Sequence, residues 1–243
     1  MSQTLARTVF AVTALFFAAF FVWPVLQILR GGFVNDDGQL TLAYLGALLR
    51  DPLYLGGLLN SFLLATAATS LALLIALPLA VVSDRYLFPG KALLGSVILI
   101  PMILPPFVGA IGIKQIFGQY GALNALLHHA GLLGAGETID WLARSQFWGI
   151  AVVEAFSLYP IIYLNAVAAL ANIDPALEEA AQNLGCPPLK AMIKVTLPLI
   201  AANLIAGGLL AFAFAMLEVS DSLILAQKQA YYPITKAILE LFQ

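Results

Sequence analysis

The chain has 243 residues, of which 62% are apolar and 10% charged, with a formal net charge of −2; soluble domains average roughly 45–50% apolar and about 25% charged. That balance excludes an ordinary soluble domain, and a near-zero charge without a basic run excludes a nucleic-acid surface or a lipid-headgroup patch. A single cysteine, Cys186, excludes an internal disulfide.

A bilayer core requires about 20 consecutive, predominantly apolar residues per crossing helix. Five stretches qualify, at 8–29, 54–82, 92–117, 147–170 and 197–217, so the expected fold class is an all-α integral membrane helix bundle. The first stretch exceeds a signal-peptide core and no small-residue cleavage site follows it, so it is expected to remain as a helix. Residues 30–52 hold Gly31, Gly32, Asn35, Asp36, Asp37 and Gly38 and read as a polar loop. The second stretch is long enough to tilt or protrude, and 83–91, with Asp84, Arg85 and Phe88-Pro89-Gly90-Lys91, reads as a tight reversal. The third contains Pro101, Pro105 and Pro106. Each proline removes a donor and clashes with the preceding turn, which predicts a kinked or locally unwound helix. Such breaks persist in a membrane only where protein or a water-filled cavity satisfies the freed carbonyls, so Pro105 and Pro106 are candidates for a pathway wall, the alternative being a helix bent to fit its neighbours. Residues 118–145 are glycine-rich, with a short interfacial helix expected around Asn124-Ala125-Leu126-Leu127. Beyond Glu218 the remaining polar stretch and tail are too short for another crossing.

Between the fourth and fifth stretches, residues 173–198 read as a docking element rather than a span. Asp174 is a cap for free amides, Pro175 suits a first helical position, and Gly185 suits the left-handed position past a helix end. At helical spacing Ala176, Leu177, Ala180, Ala181 and Leu184 share one face, and Glu178, Glu179, Gln182 and Asn183 the other. A second short helix is expected from Pro187 to about Val195, bearing Lys190 and Lys194, with Thr196-Leu197-Pro198 opening the fifth span.

Glu179-Ala180-Ala181, Gly185, Val195, Leu197 and Pro198 follow the spacing E-A-A-x3-G-x9-I-x-L-P. This resembles the coupling motif of the permease subunits of binding-protein-dependent ABC importers, with Val195 where the motif prefers isoleucine. Asn60-Ser61, Pro78-Leu79-Ala80, Phe88-Pro89-Gly90-Lys91, Pro105-Pro106-Phe107, Asp140-Trp141, Phe147-Trp148-Gly149 and Tyr159-Pro160 resemble the ferric-iron, thiamine and aminoethylphosphonate branch of that family. The resemblance implies a type I importer-like bundle in a bacterial inner membrane, with Glu178, Glu179, Ala180, Ala181, Gly185, Val195, Leu197 and Pro198 coupling to a cytoplasmic ATPase. It implies as partners ABC ATPase subunits, a periplasmic substrate-binding protein and a second permease half. Residues 1–53 would be a first span and periplasmic loop, and 54–243 the permease core. Permease halves in this branch usually have six spans, so the chain resembles an amino-terminal half stopping before its last span, a fragment or a truncated product. Ferric iron is the first expectation for cargo, ahead of thiamine, aminoethylphosphonate or polyamine.

Charge counting leaves orientation tied: with the amino terminus inside, Arg7, Arg85, Lys91, Lys190 and Lys194 face Arg30, Arg50, Arg144, Lys228 and Lys236. The motif, if cytoplasmic, places the amino terminus inside. No nucleotide chemistry is expected of this chain, because Gly90-Lys91 is followed by Ala92 and lacks the P-loop's first glycine; no cofactor or metal is expected either. The adjacent His128 and His129 do not share a helical face as metal ligands do. Ionisable residues at membrane depth are functional candidates: Glu154 either faces a cavity or pairs with Lys114 or a backbone group, and Glu218 and Asp221 are candidates for meeting cargo. An ion-coupled secondary transporter or channel is the rival reading, and a membrane-embedded enzyme a more distant one, since the spans supply no converging catalytic groups.

Overall fold

The computed structural model describes residues 3–35, 37–134, 136–142 and 146–240; Asp36 and Arg144, which entered the readings above, lie outside them. The described residues are helical except for turns and one antiparallel bridge between Val34 and Leu40. They form two compact units, residues 1–55 and 56–243.

The first unit holds α1 (Gln3–Phe17), a π turn (Ala18–Val22), α2 (Trp23–Phe33) and α3 (Ala43–Leu48). The π turn has a local cause. Pro24 supplies no N–H for the carbonyl four residues back, and the ladder widens so that the Trp23 amide bonds to the Ala18 carbonyl five residues back. The continuous helix Gln3–Phe33 buries nothing within the chain, and Phe10, Leu15, Phe20 and Ile28 are each more than 70% exposed. An apolar surface of this extent is stable only in lipid or against another protein. Helix α3 occupies part of the stretch expected to be loop.

The second unit continues α4 (Pro52–Arg85) and adds α5 (Lys91–Ile103), α6 (Pro106–Phe117), α7 (Ala122–His129), α8 (Gln146–Leu170), α9 (Pro175–Asn183), α10 (Pro188–Ala191), a π turn (Met192–Thr196), α11 (Leu197–Leu217), α12 (Ser220–Leu225), a 3-10 turn (Gln229–Tyr231) and α13 (Ile234–Leu239). Size rather than polarity decides which face of α4 packs inward. Gly57, Ser61, Ala65, Ala68, Ala72, Ala76 and Ala80 form a buried seam, with Leu64 a large residue beside them, whereas Leu58, Leu59, Phe62, Leu63 and Leu74 point outward. Lipid is as apolar as leucine, so close backbone approach across small residues drives helix association. Helix α8 is the centre of the unit, burying Ile150, Ala151, Val153, Ala155, Tyr159, Ile162, Tyr163 and Ala166 against α5, α6, α11 and α12. Ala72, Ala76, Ala80, Ile98, Ile162, Ala166, Ile200 and Leu204 form the largest core.

Two sequence expectations meet the structure here. The stretch 92–117 is not merely kinked but unwound, the second of the two outcomes expected of its prolines: Leu104 and Pro105 are extended, and the helices on either side of them are bent by 100°. A proline pair disfavours helical backbone at Leu104 and at Pro105, which stops α5 outright and restarts α6 at Pro106. Upstream, Pro101 cannot donate to the Val97 carbonyl, and the neighbouring Ile98 carbonyl accepts the Tyr159 hydroxyl at 2.8 Å. The segment after Pro187 is likewise not a separate helix, because Pro188–Leu217 runs on as one apolar helix through a π turn two residues before Pro198. The Leu197 amide reaches the Met192 carbonyl there, as Trp23 does before Pro24. Among the described residues four helices are long and apolar enough to cross a membrane, or five if the bent α5–α7 segment is one crossing.

Candidate functional site

The segment 173–198 folds by local chemistry. Asp174 Oδ1 accepts the Ala176 amide at 3.0 Å, and Pro175 opens α9 where no donor is needed. At the other end Gly185 adopts φ +87°. The Gly185 amide bonds to the Gln182 carbonyl at 2.9 Å, and the Cys186 amide to the Ala181 carbonyl at 3.1 Å, a Schellman closure that leaves few orphan carbonyls. A Cβ on Gly185 would meet nothing within 4 Å, so glycine is required by backbone angle and not by space.

Much of the small-residue side of α9 is bare. Leu177 is 49% and Leu184 90% exposed, with Leu189 and Ile193 at 67% and 51% on the helix that follows. Glu179 and Ala180 are exposed, Ala181 half-buried, and of the remaining motif residues Val195 and Leu197 are half-buried and Pro198 exposed. Glu178 behaves differently from the pattern reading that paired it with Glu179 on the outer face. It is buried, because adjacent residues stand about 100° apart on a helix and the bundle covers the Glu178 side. Its Oε2 lies 2.5 Å from Arg85 Nη2 at the end of α4 and accepts the Thr196 hydroxyl at 3.0 Å. Asp84 Oδ2 stands 3.5 Å from Arg85 Nε and steadies the guanidinium.

At the opposite end of the unit, polar side chains fasten the chain after α11. Asn60 donates to the Ala230 and Tyr232 carbonyls at 2.8 and 3.1 Å, and Ser61 Oγ accepts the Ile234 amide at 2.9 Å. A Cβ on Gly57 would stand 3.1 Å from the Ile234 Cα, so glycine admits this backbone. Gln146 Oε1 accepts the Gln227 and Lys228 amides, each at 3.1 Å. Lys236, buried, donates to the Ser222 and Ala226 carbonyls at 3.3 and 2.5 Å, with its ammonium 4.2 Å from the Tyr232 ring centre. Sequence reading named Asn60 and Ser61 only as resemblance and gave Gln146 no role; buried polar residues at helix ends were the available signal.

The pathway candidates are dispersed. Glu218 is a cap: its Oε1 accepts the Ser220 and Asp221 amides at 2.5 and 3.4 Å. Asp221 is fully buried and neither carboxylate oxygen has a hydrogen-bond partner. Burial, reinforced by the Glu218 charge, pushes its carboxyl up to about 8. Glu154 is buried on α8 with Oε2 unpartnered, and of the alternatives above the pairing with Lys114 is not among the ion pairs of the described residues. Lys114 instead lines a cavity of about 820 Å³ with Gln115, Tyr120, Asp140, Gln146 and Gln227. Pro105, Pro106, Glu154 and Glu218 are not among its lining residues. His128 and His129 end α7, and among the described residues no three His, Cys, Asp or Glu side chains gather to hold a metal.

A family model described as "Binding-protein-dependent transport system inner membrane component" matches residues 72–241. Among curated relatives, the chain is 31% identical over 72% of its length to a Haloferax volcanii protein named for molybdenum ABC transport. It is 30% identical over 79% to PhnU of Salmonella typhimurium, named as a 2-aminoethylphosphonate transport permease, and 31% identical over 65% to the molybdenum transport permease ModB of Escherichia coli. It spans 59%, 66% and 68% of those three proteins. Two crystal structures of a bacterial alginate ABC transporter share the fold. One has a TM-score of 0.71 at 18% identity, covering 96% of this chain and 80% of the other. The second, in complex with a pentasaccharide-bound periplasmic protein, scores 0.72 at 17%, covering 99% and 82%.

Proposed function

This chain belongs to the family of binding-protein-dependent transport system inner membrane components, and on that premise we propose that it forms one membrane half of an ATP-driven importer, with α9 as its contact for a cytoplasmic ATPase. The observation that carries the reading is the capped α9 helix, whose Leu177, Ala180 and Leu184 are left uncovered. Exposed apolar residues at a helix end that lies outside the membrane spans call for a protein partner. With the bent α5–α7 segment taken as one crossing, a cytoplasmic α9 end puts the amino terminus inside and the Asn60–Lys236 end toward a periplasmic binding protein. Residues 54–243 act as the permease core beside a second half, and ATP hydrolysis belongs to the partner.

The cargo we infer is a small oxyanion or phosphonate in place of ferric iron, since the relatives above are named for molybdenum and 2-aminoethylphosphonate. Pro105 and Pro106, at the 100° break, remain our pathway candidates. The test is uptake by the chain co-expressed with its ATPase, binding protein and second half. ATP-dependent accumulation of molybdate or 2-aminoethylphosphonate is expected. Ferric iron uptake in its place would overturn the cargo, and uptake driven by an ion gradient without ATP would overturn the importer reading.

A further inference from the structure

Arg85, Glu178 and Thr196 join three helices at one carboxylate oxygen. Glu178 Oε2 receives Arg85 Nη2 at 2.5 Å and Thr196 Oγ at 3.0 Å, so α9 is tied at once to the last turn of α4 and to the π turn that leads into α11. The helices that α9 packs on most are α10 and that π turn, both immediately following it in the chain. The ion pair is a direct contact of α9 with α4. The Glu178 side chain retains 9% exposure and that of Arg85 35%, so water reaches the guanidinium, while drawing the pair apart would strand a buried carboxylate. Asp84 Oδ2 stands 3.5 Å from Arg85 Nε.

Helix α4 extends this connection across the unit. From Ser61 to Arg85 it is continuous, about 36 Å of helix at about 1.5 Å per residue. Its far part carries Asn60 and Ser61, which hold the backbone at 230, 232 and 234. A displacement of α9 along α4 would thus reach the segment after α12 through a helix and three hydrogen bonds.

We propose that the Arg85–Glu178–Thr196 junction is the strut that transmits movement of α9 into α4 and α11, with Glu178 a positioning residue that does not touch the ATPase. The proposal rests on the reading of α9 as the ATPase contact. It assigns the two adjacent glutamates opposite duties, Glu179 outward and Glu178 inward.

The experiment uses the complete transporter in proteoliposomes and reads two quantities, ATPase subunit co-purified with the chain and cargo imported per ATP hydrolysed. Glu178→Gln, Arg85→Glu and Thr196→Val are each expected to keep ATPase capture within about twofold and lower import per ATP by about five- to tenfold, a coupling loss of ordinary size. The exchange Arg85→Glu with Glu178→Arg, and separately Thr196→Ser, should recover most of it. A merely structural loss would lower ATPase capture and import together, whereas loss of the strut lowers import per ATP while capture persists. Unchanged import per ATP in all three single variants overturns the strut, as does loss of ATPase capture in Glu178→Gln, which would place Glu178 in the contact face. Leu184→Asp tests the underlying reading separately: undiminished ATPase capture in that variant overturns α9 as the docking helix and leaves the strut without its driver.

Discussion

The two ends of the 56–240 bundle are built on different plans. At the α9 end a short helix with bare leucines meets the α4 rod through the Arg85–Glu178 ion pair, and the head of α11 through the Thr196 hydroxyl and the adjoining turn. At the opposite end Asn60, Ser61, Gln146 and Lys236 fasten the chain after α11 by seven side-chain hydrogen bonds. Few tethers leave an element free to be displaced by a partner, whereas many buried polar bonds hold one shape. On the reading proposed for α9, the contrast separates a part to be moved from a part that keeps its form while it is carried.

The sharpest way to break this contrast is at Gly185. Its φ of +87° makes any L side chain strained by roughly 1–2 kcal/mol, and a tryptophan adds bulk beside the bare leucines. Gly185→Trp is expected to leave the chain in the membrane and abolish stimulation of ATP hydrolysis by loaded binding protein, read in proteoliposomes. Lys236→Met should act on the other plan: two carbonyls lose their charged donor, costing about 3 kcal/mol, and thermal unfolding in detergent should shift down while ATPase capture persists. Asp221 gives the opposite sign. Its folded-state value of about 8 lies above the about 3.9 of an unfolded aspartate, so the folded protein holds the proton more tightly and stability falls as pH rises from about 4 to about 8. Asp221→Asn should flatten that slope in melting curves and raise stability at pH 8. The smallest effect is expected at Asp174→Ala, where loss of the cap to Ala176 costs about 1 kcal/mol, visible as faster amide exchange in the first turn of α9 and little change elsewhere.

Legibility follows the same division. The caps of α9 were readable because Asp174, Pro175 and Gly185 act on backbone within a few residues, and the structure has the predicted helix between them. The inward turn of Glu178 was not, because Glu178 and Glu179 are chemically equal and only the position of Arg85, on another helix, distinguishes them. Three prolines announced a disturbance in 92–117, yet the 100° turn depends on two consecutive residues both leaving helical backbone. The two π turns went unread although Pro24 and Pro198 stand at the same offset from them. Helices α3, α12 and α13 are only six residues each, too short for periodicity to show.

By itself the sequence determined the membrane class, four of the apolar helices and the position and caps of α9. Transfer of about 20 apolar residues into lipid and the satisfaction of a helix end are properties of contiguous chain. Only the tertiary structure decided which glutamate meets Arg85, how the break after α5 is angled, and that Asn60 holds a carbonyl 170 residues away. Those interactions exist only once small residues on α4, α8 and α11 let the helices approach and bring distant polar groups within bonding distance.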